Sequence, residues 1–284
     1  MCSIAGVSRS GYYNWLKNGE KRTEREVKDR EDFQLIIEAF KFRGYDKGVR
    51  GIHMRLLHIG IRMNHKKIRR LMHKYGLVCP IRKANPYRRM ARAMRTNVVA
   101  DNSVKREFKC HGPRKILLTD ITYIKMKDTF CYLSVIIDAY TMQVLSYVLS
   151  KSLEVDFVLE TVTMLIENHG ISLDADAYIH SDQGCHYTSV KFRELIEDVG
   201  LRQSMSRRGN CWDNAPQESF FGHMKDELHD RSNSWKTFDD VQSDINNWMD
   251  YYNNDRYQIG LMKLSPNEFY ELITTGSYPD SMLV

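Results

Sequence analysis

KILLTDITYIKM (Lys115–Met126), TFCYLSVIIDAY (Thr129–Tyr140) and MQVLSYVLS (Met142–Ser150) form the stretch that decides the fold. Each run is short and rich in β-branched and aromatic residues. Turn-length polar segments separate them, which predicts an antiparallel meander of three strands. Beyond it the pattern alternates. A helix is expected from about Leu153 to Asn168, a short strand in DAYIHSD (Asp176–Asp182) and a helix from about Ser189 to Val199. A fifth strand in LRQSMS (Leu201–Ser206) and a helix from about Ala215 to Leu228 follow. The remainder, 231–284, contains two expected helices, Val241–Tyr252 and Pro266–Ile273.

Three strands, helix, strand, helix, strand, helix is the order of the ribonuclease-H-like α/β fold. The expected class is therefore α/β, a five-stranded mixed sheet with helices, spanning residues 114–230. An all-α region precedes it. After an N-terminal segment, 1–19, a helix from Lys21 to about Phe42 sets Phe33, Ile36, Ile37 and Phe40 on one face. Ile52, Leu56 and Leu57 mark a second helix that Gly60 ends, and Asn64 can cap a third with Ile68, Leu71 and Met72 inward. That leaves His65, Lys66, Lys67, Arg69 and Arg70 largely outward, in a helix-turn-helix pattern within residues 20–80 whose last helix would enter the major groove of DNA. Residues 81–113 are basic, polar and weakly periodic, as suits a linker lying along a phosphate backbone.

Charge supports that division. Residues 1–100 carry 24 Lys/Arg against 8 Asp/Glu, whereas the remainder carries 18 against 28. A cationic block confined to one end suits phosphate binding by counterion release, which a uniformly solvated basic surface would not require. No apolar run approaches the ~18 residues of a membrane span, and the N-terminus lacks a secretory signal. A cytoplasmic, nucleoid-associated location is expected. The six cysteines form no CxxC pair, so reduced thiols are expected rather than a zinc ribbon or disulfides.

Three carboxylates carry the expected chemistry: Asp120 in LLTDITYI, Asp182 in YIHSDQG and Glu218 in GNCWDNAPQESFFGHMKDE. Hard divalent cations bind carboxylate oxygens, and two such ions about 3.5–4 Å apart can serve both the attacking and the leaving oxygen in phosphoryl transfer. In this fold the first and fourth strands are neighbours, so Asp120 and Asp182 converge. Asn214 and Gln217 are spaced as a capping box that would hold Glu218 at the start of its helix. Lys225 follows two turns later on the same face, and Phe220, Phe221, Met224 and Leu228 supply the buried side. Taken singly, Asp182 has the look of a turn residue and Glu218 that of a helix-dipole residue. Asp120, inside an apolar strand, needs a partner. Asp138 in VIIDAY shares that property and is the rival ligand, read here as structural. His180 and Trp212 are expected to pack and orient, Asp213 to cap locally, and Arg207 and Arg208 either to bind phosphate or to face water.

These motifs, together with HSDQGCHYTS, the tail YYNNDRYQIGLMKLSPNEF and the upstream VRGIHMRLLHIGIRMNHKKIRRLMHKYGL, resemble the second-frame transposases of the insertion-sequence-three family, relatives of retroviral integrases. The likeness runs from about Val7 to Leu272. It implies that Asp120, Asp182 and Glu218 are a DDE triad and that Lys225 contacts the element's end. It also implies 3′-end nicking followed by strand transfer, with Mg²⁺ as cofactor, two ions, and Mn²⁺ able to substitute. DNA is the implied partner, both terminal inverted repeats and target, and a homo-oligomer would hold two ends. An upstream-frame partner or fusion is implied as well. Two alternatives stand beside this reading: a nuclease or junction resolvase that cuts without joining, and a DNA-binding regulator without catalysis.

Overall fold

A computed structural model of the chain describes residues 2, 4–45, 47–80, 111–127, 129–206 and 215–279. They fall into two compact units, a helical one ending at residue 80 and an α/β one beginning at residue 111.

The helical unit has four α-helices: α1 (Arg9–Lys17), α2 (Gly19–Lys41), α3 (Val49–His58) and α4 (His65–Lys74). Ile36, Ala39 and Phe40 of α2 close over Ile52 and Leu56 of α3 and Ile68, Leu71 and Met72 of α4. The turn between α3 and α4 passes through Gly60 at φ +76°, a left-handed conformation that glycine adopts without penalty. Asn64 Oδ1 accepts the Lys66 backbone N–H at 2.8 Å, satisfying one orphan donor of α4. Helix α1 was not among the expected elements. Its signal is Ser8, whose Oγ accepts the Gly11 N–H at 3.1 Å; none of its residues is buried, so no core periodicity marks it.

The α/β unit is built on a five-stranded sheet of order β3-β2-β1-β4-β5. Its strands are β1 (Ile116–Met126), β2 (Thr129–Asp138), β3 (Val144–Ser150), β4 (Tyr178–Ser181) and β5 (Arg202–Met205). The first three pair antiparallel, while β4 pairs parallel with both β1 and β5, as the alternating pattern predicted. Helices α5 (Asp156–His169) and α6 (Val190–Asp198) follow β3 and β4. They bury Phe157, Val162, Leu165, Phe192 and Ile196 against Leu117, Ile136 and Ile179. Helix α7 (Ala215–Ser232) packs on β1, and the tail helices α8 (Phe238–Asn254) and α9 (Pro266–Thr275) complete the unit.

The tail is docked onto the sheet. Asn253 of α8 donates to the Val144 carbonyl at 2.8 Å and accepts its N–H at 2.9 Å, filling ladder positions at the start of β3. Phe220 of α7 meets Trp248 and Tyr252 of α8 edge to face, an aromatic cluster that fixes the two helices together.

Candidate active site

Asp120 lies mid-strand on β1, opposite Val135 of β2. Asp182 is the first residue beyond β4, which runs parallel beside β1 from Ile116↔Tyr178 to Leu118↔His180. Glu218 occupies the first turn of α7, and Lys225 follows it on the same helix. The sheet order and register therefore set mid-strand Asp120 beside Asp182 at the edge where β4 ends, with α7 lying on β1.

The electrostatics tie the four residues together. The Asp120 carboxyl is pushed up to about 7, chiefly by burial and then by the like charges of Asp182 and Glu218. A hydrogen bond from the Ile121 N–H at 2.8 Å and the Lys225 ammonium oppose the shift. Desolvation lowers the Lys225 ammonium from its ordinary value, and Asp120 works against that lowering. Asp182 is held by a local turn in which its Oδ1 accepts the Gly184 N–H at 2.8 Å. Among the described residues no three His, Cys, Asp or Glu side chains are closed into a metal-holding cluster. The three acids sense one another without forming a finished cage.

Two buried residues steady this edge. His180 is almost fully enclosed and bridges the hydroxyls of Ser204 and Ser206 at 3.0 Å through its two ring nitrogens, which joins β4 to β5 just before Asp182. Gln217 does not serve as the capping-box residue the sequence suggested. Its side chain is fully buried, and Nε2 donates to the Val135 carbonyl at 3.3 Å, on the residue paired with Asp120. The reason is helical spacing. Gln217 lies three and four residues before Phe220 and Phe221, on the buried stripe, so it points at the sheet rather than back at the helix start. Asn214, Trp212, Asp213, Arg207 and Arg208 lie outside the described residues.

Asp138, the rival ligand, is fully buried and wholly committed to the interior. It accepts from the Arg114 N–H at 3.1 Å, the Tyr140 N–H at 2.9 Å and the Thr141 hydroxyl at 3.0 Å, with the Arg114 guanidinium 3.9 Å away. Arg114, the residue just after the basic stretch, is thereby part of the core.

In the helical unit the four cations expected to face outward divide. Arg70 makes two 2.7 Å hydrogen bonds to the buried Asp29 of α2, and Lys67 pairs with Asp32. Both are held by the neighbouring helix, Lys67 half-buried and Arg70 still exposed beside its partner. Asp29 was invisible as a partner because an acid on a charged helix has the pattern of a solvated residue. Lys66 and Arg69 are exposed as well, and no ion pair holds them among the described residues.

Comparison with known proteins now decides the family. Residues 111–211 match the integrase core domain, 199–266 a second integrase core domain family, and 26–85 an HTH-like domain. The 31 kDa protein of insertion element IS600 from Shigella sonnei is 31% identical over 95% of this chain and 97% of its own length. The chain belongs to the insertion-sequence transposases with an integrase core. A transposase-like protein of Haemophilus influenzae is 34% identical over 72% of this transposase and 92% of its own length. The transposase of IS629 from Shigella sonnei is 29% identical over 90% and 85%. Among solved structures, the simian T-cell lymphotropic virus intasome with PP2A regulatory subunit B56 gamma aligns with a TM-score of 0.52 over 77% of this chain and 70% of the solved one. At 16% identity that alignment speaks for the fold alone. The transposase is thus a polynucleotidyl transferase of DNA transposition.

Proposed function

We propose that Asp120, Asp182 and Glu218 are the catalytic carboxylates of this transposase and that Lys225 contacts the DNA phosphate beside them. The observation that carries the assignment is the coupling of all four at one sheet edge, centred on the raised Asp120 carboxyl. A divalent cation fits this donor set: the donors are hard oxygens, and the second oxygens of Asp120 and Asp182 make no hydrogen bond among the described residues. A cation's charge would also offset the repulsion that raises Asp120. Asp120, Asp182 and Glu218 would hold Mg²⁺, in two positions and replaceable by Mn²⁺, and when bound it supplies Lewis acidity to the attacking and leaving oxygens.

The reaction we assign has two steps. A water oxygen attacks a phosphodiester at the element end, forming a new P–O bond as the bond to the 3′ oxygen breaks and that oxygen takes a proton. The freed 3′ hydroxyl then attacks a second phosphodiester, joining its oxygen to phosphorus as it gives up its proton, while the displaced 3′ oxygen takes one up to become a hydroxyl. Within the chain, β1 and β4 orient Asp120 and Asp182, α7 carries Glu218 and Lys225, and Lys225 offers its ammonium to the phosphate. Residues 20–80 would bind the terminal repeats, 81–113 would link, 114–230 would catalyse and 231–284 would brace the sheet. The assembly would be a homo-oligomer on two DNA ends, with an upstream-frame partner or fusion as in the insertion-sequence-three family.

The test is incubation of labelled element-end duplex with Mg²⁺ and either the wild type or Glu218→Gln. Joined products lost in the variant support the assignment. Cleavage without joining would support a nuclease instead, and binding with neither would support a regulator.

A further inference from the structure

Helix α4 presents three kinds of face. Ile68, Leu71 and Met72 enter the core. Lys67, Arg70 and Lys74, spaced three and four residues apart, pair with Asp32, Asp29 and Glu26 along α2. Lys66, Arg69 and His73, also spaced three and four apart, form an exposed stripe, and among the described residues none of their side chains makes an ion pair.

The clamp face is electrically spent. Three cations meet three carboxylates, and the Asp29 side chain is only 6% exposed beneath a two-bonded guanidinium. Drawing Arg70 away to a DNA phosphate would take two of the three side-chain hydrogen bonds from that buried carboxylate and leave only Lys74 on it, which a buried charge resists. The Lys66–Arg69–His73 stripe has no such commitment. It starts in the first turn of a helix whose origin the Asn64 cap fixes, and Arg69 has the forked donors that match a guanine edge.

We propose that the DNA-reading surface of this unit is the Lys66–Arg69–His73 stripe, and that Lys67, Arg70 and Lys74 are a structural clamp that aims it. The occupant is duplex DNA, entered at the major groove, because cations at helical spacing on one free face complement the phosphates that flank a groove. This rests on the reading above only in taking DNA as the substrate.

The experiment uses the full chain and two duplexes, one carrying the terminal repeat that flanks the coding sequence and one with that repeat scrambled. Lys66→Ala/Arg69→Ala is expected to cut the preference for the repeat by about tenfold or more. It should also make the dependence of log affinity on log salt shallower by up to about 2. Asp29→Asn/Arg70→Gln, which neutralises both clamp partners at nearly constant shape, is expected to leave the preference within about twofold once its folded fraction is confirmed by circular dichroism. Unchanged preference in the first variant, lost preference in the folded second one, or a wild type blind to the repeat would each overturn the proposal. Strand joining by the wild type on the same duplex is scored separately, so a failed recognition surface is distinguishable from a failed catalytic assignment.

Discussion

Gly184 holds the Asp182 carboxylate at arm's length. Its N–H donates to Oδ1 at 2.8 Å, and a Cβ at Gly184 would lie 2.9 Å from that same oxygen. The Gly184 backbone is outside the left-handed region, so alanine brings no backbone strain there. Its methyl group would crowd only the carboxylate oxygen, since the Tyr187 ring at 3.6 Å would be in ordinary van der Waals contact. Gly184→Ala is expected to keep the wild-type melting temperature within about 2 °C, a change of well under about 1 kcal/mol. Strand joining should fall by about tenfold or more, because misplacing a positioned group by a fraction of an ångström is costly. Calorimetric titration with Mg²⁺ should show weaker binding. Full joining activity would mean that the Asp182 carboxylate is not required in this place.

Asp120 and Asp138 should answer the same substitution in opposite ways. Asp120 is raised to about 7 by burial and by two neighbouring acids, so at pH 8 its ionised form is held against an unfavourable environment. A carboxylate raised in the folded state lowers stability as pH rises from about 4 towards 7. Asp120→Asn is therefore expected to stabilise the metal-free protein at pH 8 by about 1–3 kcal/mol while abolishing joining. Asp138 accepts three hydrogen bonds at full burial, so Asp138→Asn is expected to cost about 2–4 kcal/mol, seen as a lower urea midpoint. A destabilised Asp120→Asn would sink the account of the site's electrostatics.

The sheet and the order of its strands were legible because β1 to β3 are built from runs whose composition differs sharply from the turns between them. Asp120, Asp182 and Glu218 stood out because one carboxyl interrupts an apolar strand, one follows a strand end and one begins a helix. What escaped notice were partnerships across the chain. Gln217 seemed a cap by its spacing from Asn214, yet the stripe it shares with Phe220 and Phe221 already pointed it at the sheet. Helical periodicity put Arg70 and Lys67 off the core, but it cannot reveal an acid on another helix that pairs with them. The role of Gly184 depends on where one carboxylate oxygen sits, a distance no spacing rule encodes.

Acid should loosen the helical unit through Asp29. Hydrogen bonds from Arg70 and then Lys74 hold this carboxyl well below its usual range despite burial. Glu26 beside it is lowered too, first by Lys74 and then by Tyr75. A depressed carboxylate contributes stability that is present above its unfolded value and is lost as pH falls through the folded one. Asp29→Asn cannot titrate, so it removes that contribution at every pH. The stability gap between wild type and Asp29→Asn is expected to be about 2 kcal/mol at pH 7, where charged hydrogen bonds are intact. It should shrink steadily below about pH 4. Circular dichroism melts of both proteins at a series of pH values check this. A gap that widens in acid would show that the Asp29 carboxyl is not held by Arg70 and Lys74, and with it the clamp that fixes α4 on α2 would fail.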